Sequence, residues 1–573
     1  MPRGKGGTRA KIGRRVFAAH DPDRAMSISE RFSTHRVENQ VVPLGPCNLY
    51  ETDLALRDAV QREGAGWASA DLAAFGAVAG DEMMELGFVA NEHEPALRAF
   101  DRNGNRIDEV EFHPAYHRLM QLGMQHGVHA YAWRHADAAG AQVARAALLY
   151  MHYQADSGTC CPLTMTHAVA PALRQNPTLA AAWSPRLESL EYDPRSVPAV
   201  AKRGCTMGMG MTEKQGGSDV RANSTRACLQ ADGSYEIVGH KWFFSAPMSD
   251  AWLVLAQAEA GISCFLMPRF RPDGTHNAIR LQRLKSKLGD RSNASSEVEF
   301  EGAWAERVGD EGRGVATILE MVSLTRLDCM TGSAGLMRQA TLQALHHARH
   351  RQAFGKRLVE QPLMKNVLAD LVLETEAATA LSLRVARAVD ARGRDPAEAA
   401  LARIATALGK YWVCKRAPVL VNEAQECLGG AGYIEESNLP RLYRQAPLNS
   451  IWEGCGNIQC LDVLRALAKE PEAGAAFFAE LDAARGLSTE LDRAGIWLRH
   501  ALDDRATLEL RARRVVERMA LALQAAILLR AGNDAVARSF CVSRLGDEHG
   551  AAFGTLPADA AIDALIERGG AGA

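Results

Sequence analysis

The residues best suited to chemistry lie in one stretch, Ser450-Ile451-Trp452-Glu453-Gly454-Cys455-Gly456-Asn457. It sets one carboxylate beside an indole, with glycines close by. A basic, proline-marked run, Leu439-Pro440-Arg441-Leu442-Tyr443-Arg444, precedes it, and Ile458, Leu461, Val463, Leu464 and Leu467 follow at helical spacing. Glu453 therefore belongs where a loop feeds a helix. Apolar and aromatic neighbours raise a carboxyl's pKa, and a raised pKa suits a general base. The same position also suits a glutamate that only complements a helix dipole, and the stretch taken alone favours that plainer role.

Two further stretches could hold a ligand. The first is Met209-Gly210-Met211-Thr212-Glu213-Lys214-Gln215-Gly216-Gly217-Ser218-Asp219. Its small residues let backbone N–H groups approach a diphosphate or a heteroaromatic edge, and Thr212 and Ser218 add hydroxyls. It matches neither GxxxxGK[ST] nor GxGxxG, and a glycine-rich turn between strands fits it equally well. The second is His240-Lys241-Trp242-Phe243-Phe244-Ser245. Three adjacent aromatics on a strand put at least one on each face, to stack on a planar ligand or to pack a core.

The elements that position these stretches change texture along the chain. Residues 48–184 read as helical, with Thr52 or Asp53 as a cap, a helix start at His113-Pro114, and a break at 158–162. Residues 202–312 read as strands: 234–238, 252–256, 262–267 and 297–300, separated by turn residues as in a small antiparallel sandwich or barrel. Long helices return over 315–468, where Leu336, Ala340, Ala344 and Ala348 share a face. A further helical region, rich in arginine and without lysine, follows Lys469.

A chain of 573 residues is too long for one core, and 47% hydrophobic with 23% charged residues is ordinary for a globular protein. A net charge of −2 excludes a general polycation, so any nucleic-acid site must be a local patch. The twelve cysteines show no zinc spacing, no metal is expected, and the vicinal Cys160-Cys161 pair carries no weight. No apolar run spans a bilayer, and with no secretory leader the thiols read as reduced and the protein as cytoplasmic. The first fifteen residues are basic and glycine-rich and read as a disordered extension.

Taken together and in order, these motifs resemble the acyl-CoA dehydrogenase family of flavoproteins over about residues 51–468. The resemblance rests on 211–219, 241–245, Lys287-Leu288-Gly289-Asp290-Arg291-Ser292, Arg351-Gln352-Ala353-Phe354-Gly355, 425–433, and Trp452-Glu453-Gly454. MTEKQGGSD, GHKWFFS and NSIWEG look closest to its adaptive-response branch, induced by alkylating stress. The resemblance implies an α+β, mainly α fold. Its parts would be a disordered basic extension (1–30), an N-terminal helical domain (31–190), a central antiparallel β-domain (191–312), a C-terminal helical bundle (313–468) and extra helices (469–573).

It also implies FAD between the β-domain and the bundle. Met209, Gly210, Met211, Thr212, Gly216, Gly217, Ser218, Phe243, Phe244 and Ser245 would hold the flavin. Arg351, Phe354, Gln425 and Gly429 would reach the FAD of a neighbour in a homotetramer, while Ile451, Trp452 and Asn457 close the site. Glu453 would remove the α-proton of an acyl-CoA, with weak activity of the isovaleryl-CoA type, and Arg326 would contact substrate. Some members place the base just before the matching arginine; here that residue is Thr325. Lys214-Gln215 departs from the family's usual proline, and Gln361 sits one residue from its usual glutamine.

The branch further implies binding of double-stranded DNA and of an alkylating small molecule. Arg465, Arg511, Arg514 and Arg518 would serve the DNA, with acids nearby at Glu490, Asp492, Asp503 and Asp504. A solvated helix face or a subunit contact would explain the tail arginines as well. Because they lie far in sequence from the flavin motifs, flavin and DNA functions are expected to separate. An ordinary metabolic acyl-CoA dehydrogenase without a DNA role is the alternative.

Overall fold

Asp53 starts the first helix: its backbone is extended and its carboxylate accepts from Leu56 N, which ends the choice between Thr52 and Asp53 as cap. The computed structural model describes residues 34–547 and 550–570. The chain divides into two units, 1–42 and 43–573. In the first, residues 34–42 form no helix or strand, and the expected extension over 1–30 lies outside the described residues.

The second unit begins with helices α1 (Leu54–Arg62), α2 (Ser69–Ala79) and α3 (Glu82–Glu92), then a hairpin of β1 (Ala96–Phe100) and β2 (Arg106–Glu111). The hairpin interrupts a region expected to be wholly helical; Asn103-Gly104 at its tip is the turn signal that marks it. Then come α4 (Pro114–Gln125), α5 (Tyr131–Arg134), α6 (Ala141–Ala155), α7 (Cys160–Leu173) and α8 (Pro177–Leu187). The break between α6 and α7 is shorter than expected. Pro162 sits in the first turn of α7, where a missing N–H does no harm. Every residue of α6 is buried, which suits its alanine- and leucine-rich sequence.

The middle part holds β3 (Met207–Gly210), β4 (Arg226–Leu229), β5 (Tyr235–Ser245), β6 (Ala251–Ala258), β7 (Gly261–Pro268), β8 (Ile279–Leu284) and β9 (Ser295–Val308). They pair in the order β3-β6-β4-β5-β9-β7, and β7 returns to β6, closing a barrel; β8 adds to β9. The sheet is mixed rather than antiparallel throughout, because β6 runs parallel to both β3 and β4. Phe244, Trp252, Phe265 and Phe300 fill its interior.

The last part is built on α9 (Gly314–His350), a short hairpin of β10 (Gln352–Ala353) and β11 (Lys356–Arg357), α10 (Pro362–Ala391) and α11 (Pro396–Leu428). α12 (Asn438–Gln445) and α13 (Gly456–Lys469) flank the Glu453 loop. Leu336, Ala340, Ala344 and Ala348 are all buried.

The tail forms α14 (Pro471–Asp482), α15 (Thr489–Asp503), α16 (Ala512–Arg530), α17 (Asp534–Phe540) and α18 (Ile562–Gly569). It packs on the bundle. Arg544 pairs with Asp370 and Glu374 of α10, and Arg568 with Glu376. Arg338 of α9 donates to the Gly569 carbonyl.

Candidate active site

The Glu453 loop is held by its carbonyls. Lys410 of α11, 1% exposed, donates through Nζ to the Trp452 and Gly454 carbonyls, each at 2.6 Å. The Glu453 carbonyl accepts from Arg326 Nε of α9 and Gln459 Nε2 of α13, both at 3.0 Å. Trp452 Nε1 donates to Asn449, whose amide donates to Ser333 of α9. With three successive carbonyls turned into the bundle, Glu453 takes φ +59° and Gly454 φ +94°. That left-handed backbone is strained for a glutamate by about 1 kcal/mol or more, as at sites whose surroundings over-determine it.

The side chain of Glu453 turns toward α9, where Thr325 Oγ1 donates to Oε2 at 2.9 Å. Burial pushes its carboxyl above the ordinary value, and the Thr325 hydrogen bond, then the charges of Lys410 and Arg326, pull the other way. The position that some family members use for the base thus holds a hydroxyl bonded to Glu453. Arg326, expected to contact substrate, is engaged by the protein itself. Its Nε is taken by the Glu453 carbonyl, its Nη1 pairs with Asp462 at 2.7 Å, and only 13% of its side chain is exposed. It is a strut for the loop.

On the barrel side, the three adjacent aromatics differ in their surroundings. Phe243 is 54% exposed. Phe244 is fully buried against Trp252 and Phe300, so its ring is part of the core. Lys285 Nζ lies 3.4 Å from the centre of the Trp242 ring, which engages that indole. Ser245 is half-buried at the end of β5, its Oγ 3.2 Å from that of Ser295.

The glycine-rich loop is built around Glu213. Its carboxylate is buried, paired with Lys241 at 2.8 Å, and accepts from Ser224 and Thr225. Burial opposes its charge, yet Lys241 and these donors hold it well below the usual carboxylate range. Met209 and Gly210 lie in β3 and are buried; Met211 and Thr212 are half-buried. Gly216 (φ +146°) and Ser218 are exposed, and a Cβ on Gly217 would fall 2.4 Å from Thr212 Oγ1. These residues fit a flavin dinucleotide: an exposed aromatic, hydroxyls, glycines where the backbone turns, and an internal carboxylate neutralised so that it does not repel a diphosphate.

Cys161, of the vicinal pair, lies within electrostatic reach of both parts. Burial pushes its thiol up to about 12, Lys287 opposes this, Asp290 and Glu453 add to it, and a hydrogen bond with Ser245 opposes it. One thiol therefore feels both the end of β5 and the carboxylate of Glu453. The motif turn between β8 and β9 locks beneath it: Lys287 Nζ donates to the Asp290 and Asn293 carbonyls, and Gly289 abuts the Arg444 carbonyl so closely that a Cβ would clash.

Of the loop residues, Ile451 is 63% exposed and Trp452 half-buried. Asn457 Oδ1 accepts from Arg513 Nε of α16 at 2.8 Å. The tail therefore reaches the first turn of α13, next to the Glu453 loop. Phe354 and Gly355 form the two-residue turn of the β10–β11 hairpin, with φ +53° and +76°, and Phe354 is 99% exposed. Arg351 is half-buried just before that hairpin. Gln425 is buried, and its amide donates to the Gly432 carbonyl, so it braces its own turn; Gly429 has φ +60° and open space at Cβ.

The tail arginines do not form one free face. Arg511 pairs with Asp504 at 3.0 Å and donates to Thr507 and the Ala501 carbonyl. Arg518 donates to the Leu545 carbonyl. Arg465, Arg513 and Arg514 are exposed, Arg514 lying over Trp497. Among the described residues no His, Cys, Asp and Glu group is arranged for a metal, and no helix is long and apolar enough to cross a membrane.

Comparison with known proteins bears on the same elements. The family described as "Adaptive response protein AidB N-terminal domain" matches residues 39–194, the acyl-CoA dehydrogenase middle domain 208–303 and its C-terminal domain 312–468. The AidB protein of Escherichia coli (strain K12) is 53% identical over 441 residues, 77% of this chain and 81% of that protein. The Caenorhabditis elegans ACDH-11 structure, solved with C11-CoA, superposes with TM-score 0.80 at 26% identity and covers 95% of each chain. The Bd2924 apo-form gives 0.79 at 29% identity, covering 86% of this chain and all of that one. These matches cover the barrel and the bundle with its Glu453 loop, and the chain belongs to the acyl-CoA dehydrogenase family of FAD-dependent oxidoreductases, in its AidB branch.

Proposed function

We propose that each chain binds one FAD and oxidises an acyl thioester, with Glu453 as the base. The observation that carries this reading is the Glu453 loop: a carboxylate with a raised pKa, held in a strained backbone by buried donors, sharing a neighbour in Cys161 with Ser245. Glu453 takes the α-proton, and the electron pair left on the α-carbon forms the double bond as the β-hydride departs. FAD, when bound, accepts that hydride. Phe243 and Ser245, with Met209, Gly210, Met211, Thr212, Gly216, Gly217 and Ser218, form the cradle; Ile451, Trp452 and Asn457 close it.

An acyl-CoA is the substrate class, a choice supported by the C11-CoA bound to ACDH-11. Arg351 and Phe354, with Gln425 and Gly429, serve a neighbour's FAD in a homotetramer; a fully exposed phenylalanine on a strained turn supports this. The purified protein tests the reading: flavin released on heating, identified as FAD at one per chain, is expected. Protein that takes up no FAD even when refolded with it would end the proposal.

A second reading adds double-stranded DNA and an alkylating small molecule in a cytoplasmic adaptive response. Its support is the AidB branch itself and the exposed Arg465, Arg505, Arg513 and Arg514 on α13, α16 and the turn before α16. Arg511 and Arg518 contribute less, since protein groups already occupy them.

A further inference from the structure

Lys410 is a buried cation without a carboxylate within ion-pair distance among the described residues, and the proposed mechanism gives it no task. Burying an ammonium costs several kcal/mol unless its donors and charge are met. Its donors are met by two carbonyls at 2.6 Å, those of Trp452 and Gly454 on either side of Glu453. Bonds this short are typical of charge-assisted donation. Nothing about two carbonyls requires a charge, however; a neutral amide donates to carbonyls equally well, as Gln459 does to Glu453 and Gly454 in the same loop. The charge has an electrostatic partner in Glu453, whose ionised form it favours.

We infer that Lys410 is a positioning residue for the base: it pins the loop carbonyls so that Glu453 faces the site, and its charge keeps that carboxylate ionised for proton abstraction. The inference rests on the proposed role of Glu453 and deepens it.

The groups that face Glu453 come from three helices. α9 supplies Thr325, Arg326 and the buried Cys329, α11 supplies Lys410, and α7 supplies Cys161. Both thiols are pushed up by burial, Cys329 well above its usual range, so they stay neutral and do not replace Lys410 as a charge. Arg326 is the other cation, but it is paired at 2.7 Å with Asp462, a carboxylate it shares with Arg403. Lys410 is therefore the cation whose field on Glu453 is least cancelled.

The test compares Lys410→Met, Lys410→Gln and Lys410→Arg as FAD-loaded proteins. Two readouts follow pH: the rate of flavin reduction by butyryl-CoA, and the flavin spectrum without substrate, with Glu453→Gln as the blank. Removing a nearby opposite charge raises a carboxyl's pKa by about one to three units. Lys410→Met should move both midpoints up by about one pH unit or more, and Lys410→Arg should restore them. If Lys410→Met loses FAD, Lys410→Gln, which keeps donors but no charge, decides by the same shift. A neutral variant with the wild-type midpoint, or equal shifts in the neutral and arginine variants, overturns the inference. If the wild type itself is not reduced by any acyl-CoA, the proposed activity fails, while the substrate-free spectral titration still reads Lys410.

Discussion

Thr325 Oγ1 lies 2.9 Å from Glu453 Oε2 and 3.0 Å from the Val322 carbonyl, so one hydroxyl can serve both protonation states of Glu453. When Glu453 is ionised the hydroxyl donates to it. When Glu453 has taken a proton, the carboxyl donates to Oγ1 and the hydroxyl turns its own proton to Val322. Because its donation favours the ionised form, Thr325→Val should raise the pKa of Glu453. The base works only when ionised, so its activity rises with pH through that pKa. The rising limb should move to higher pH by about one unit, as loss of a hydrogen bond to a charged group implies. A pH–rate profile with an unmoved limb would show that the hydroxyl is only structural.

Glu453→Gln keeps the volume and removes the base. Reduction of the flavin by an acyl-CoA should fall by about a hundredfold or more, with FAD content unchanged. Stopped-flow reduction checks the first part and the protein's absorbance ratio the second.

Phe243 and Phe244 are neighbours with opposite surroundings. Phe244→Ala opens a hole among Trp252 and Phe300 and should destabilise the protein by about 3–5 kcal/mol. Phe243→Ala removes a ring that is half exposed and should leave stability nearly unchanged while weakening FAD retention. Denaturant unfolding and flavin release measure the two effects, and a reversal of the order would contradict the assignment.

Much of this arrangement is legible in the sequence. The change of period from helix to strand and back places the three family parts, and the turn at Asn103-Gly104 is readable where the hairpin interrupts the first of them. The loop-then-helix position of Glu453 also follows from local pattern. What holds Glu453 does not. Thr325 lies 128 residues away and Lys410 about forty, and a lone lysine on a long helix carries no motif. Phe243 and Phe244 differ only in which face of β5 they occupy, and three adjacent aromatics leave that face open. The parallel pairing of β6 with β3 and β4 is likewise invisible to alternation, which reports burial and not strand direction.

Arg513 joins the tail to the first turn of α13, beside the Glu453 loop, through Asn457. Arg513→Ala should weaken FAD retention by up to about tenfold, the worth of one charge-assisted hydrogen bond, without unfolding the tail. Arg465→Ala with Arg514→Ala should leave FAD untouched. If duplex DNA binds, that pair should reduce the slope of log affinity against log salt by about two. A wild-type protein that ignores duplex DNA at low salt would remove the second reading.

In the proposed reaction Glu453 and a bound FAD together oxidise an acyl thioester. Anaerobic titration of the FAD-loaded protein with short straight and branched acyl-CoAs, following the flavin absorbance, tests it most directly. At least one acyl-CoA should bleach the flavin, and Glu453→Gln should not be bleached by it. A flavin that stays oxidised with every acyl-CoA, or one that bleaches equally in Glu453→Gln, would contradict the claim.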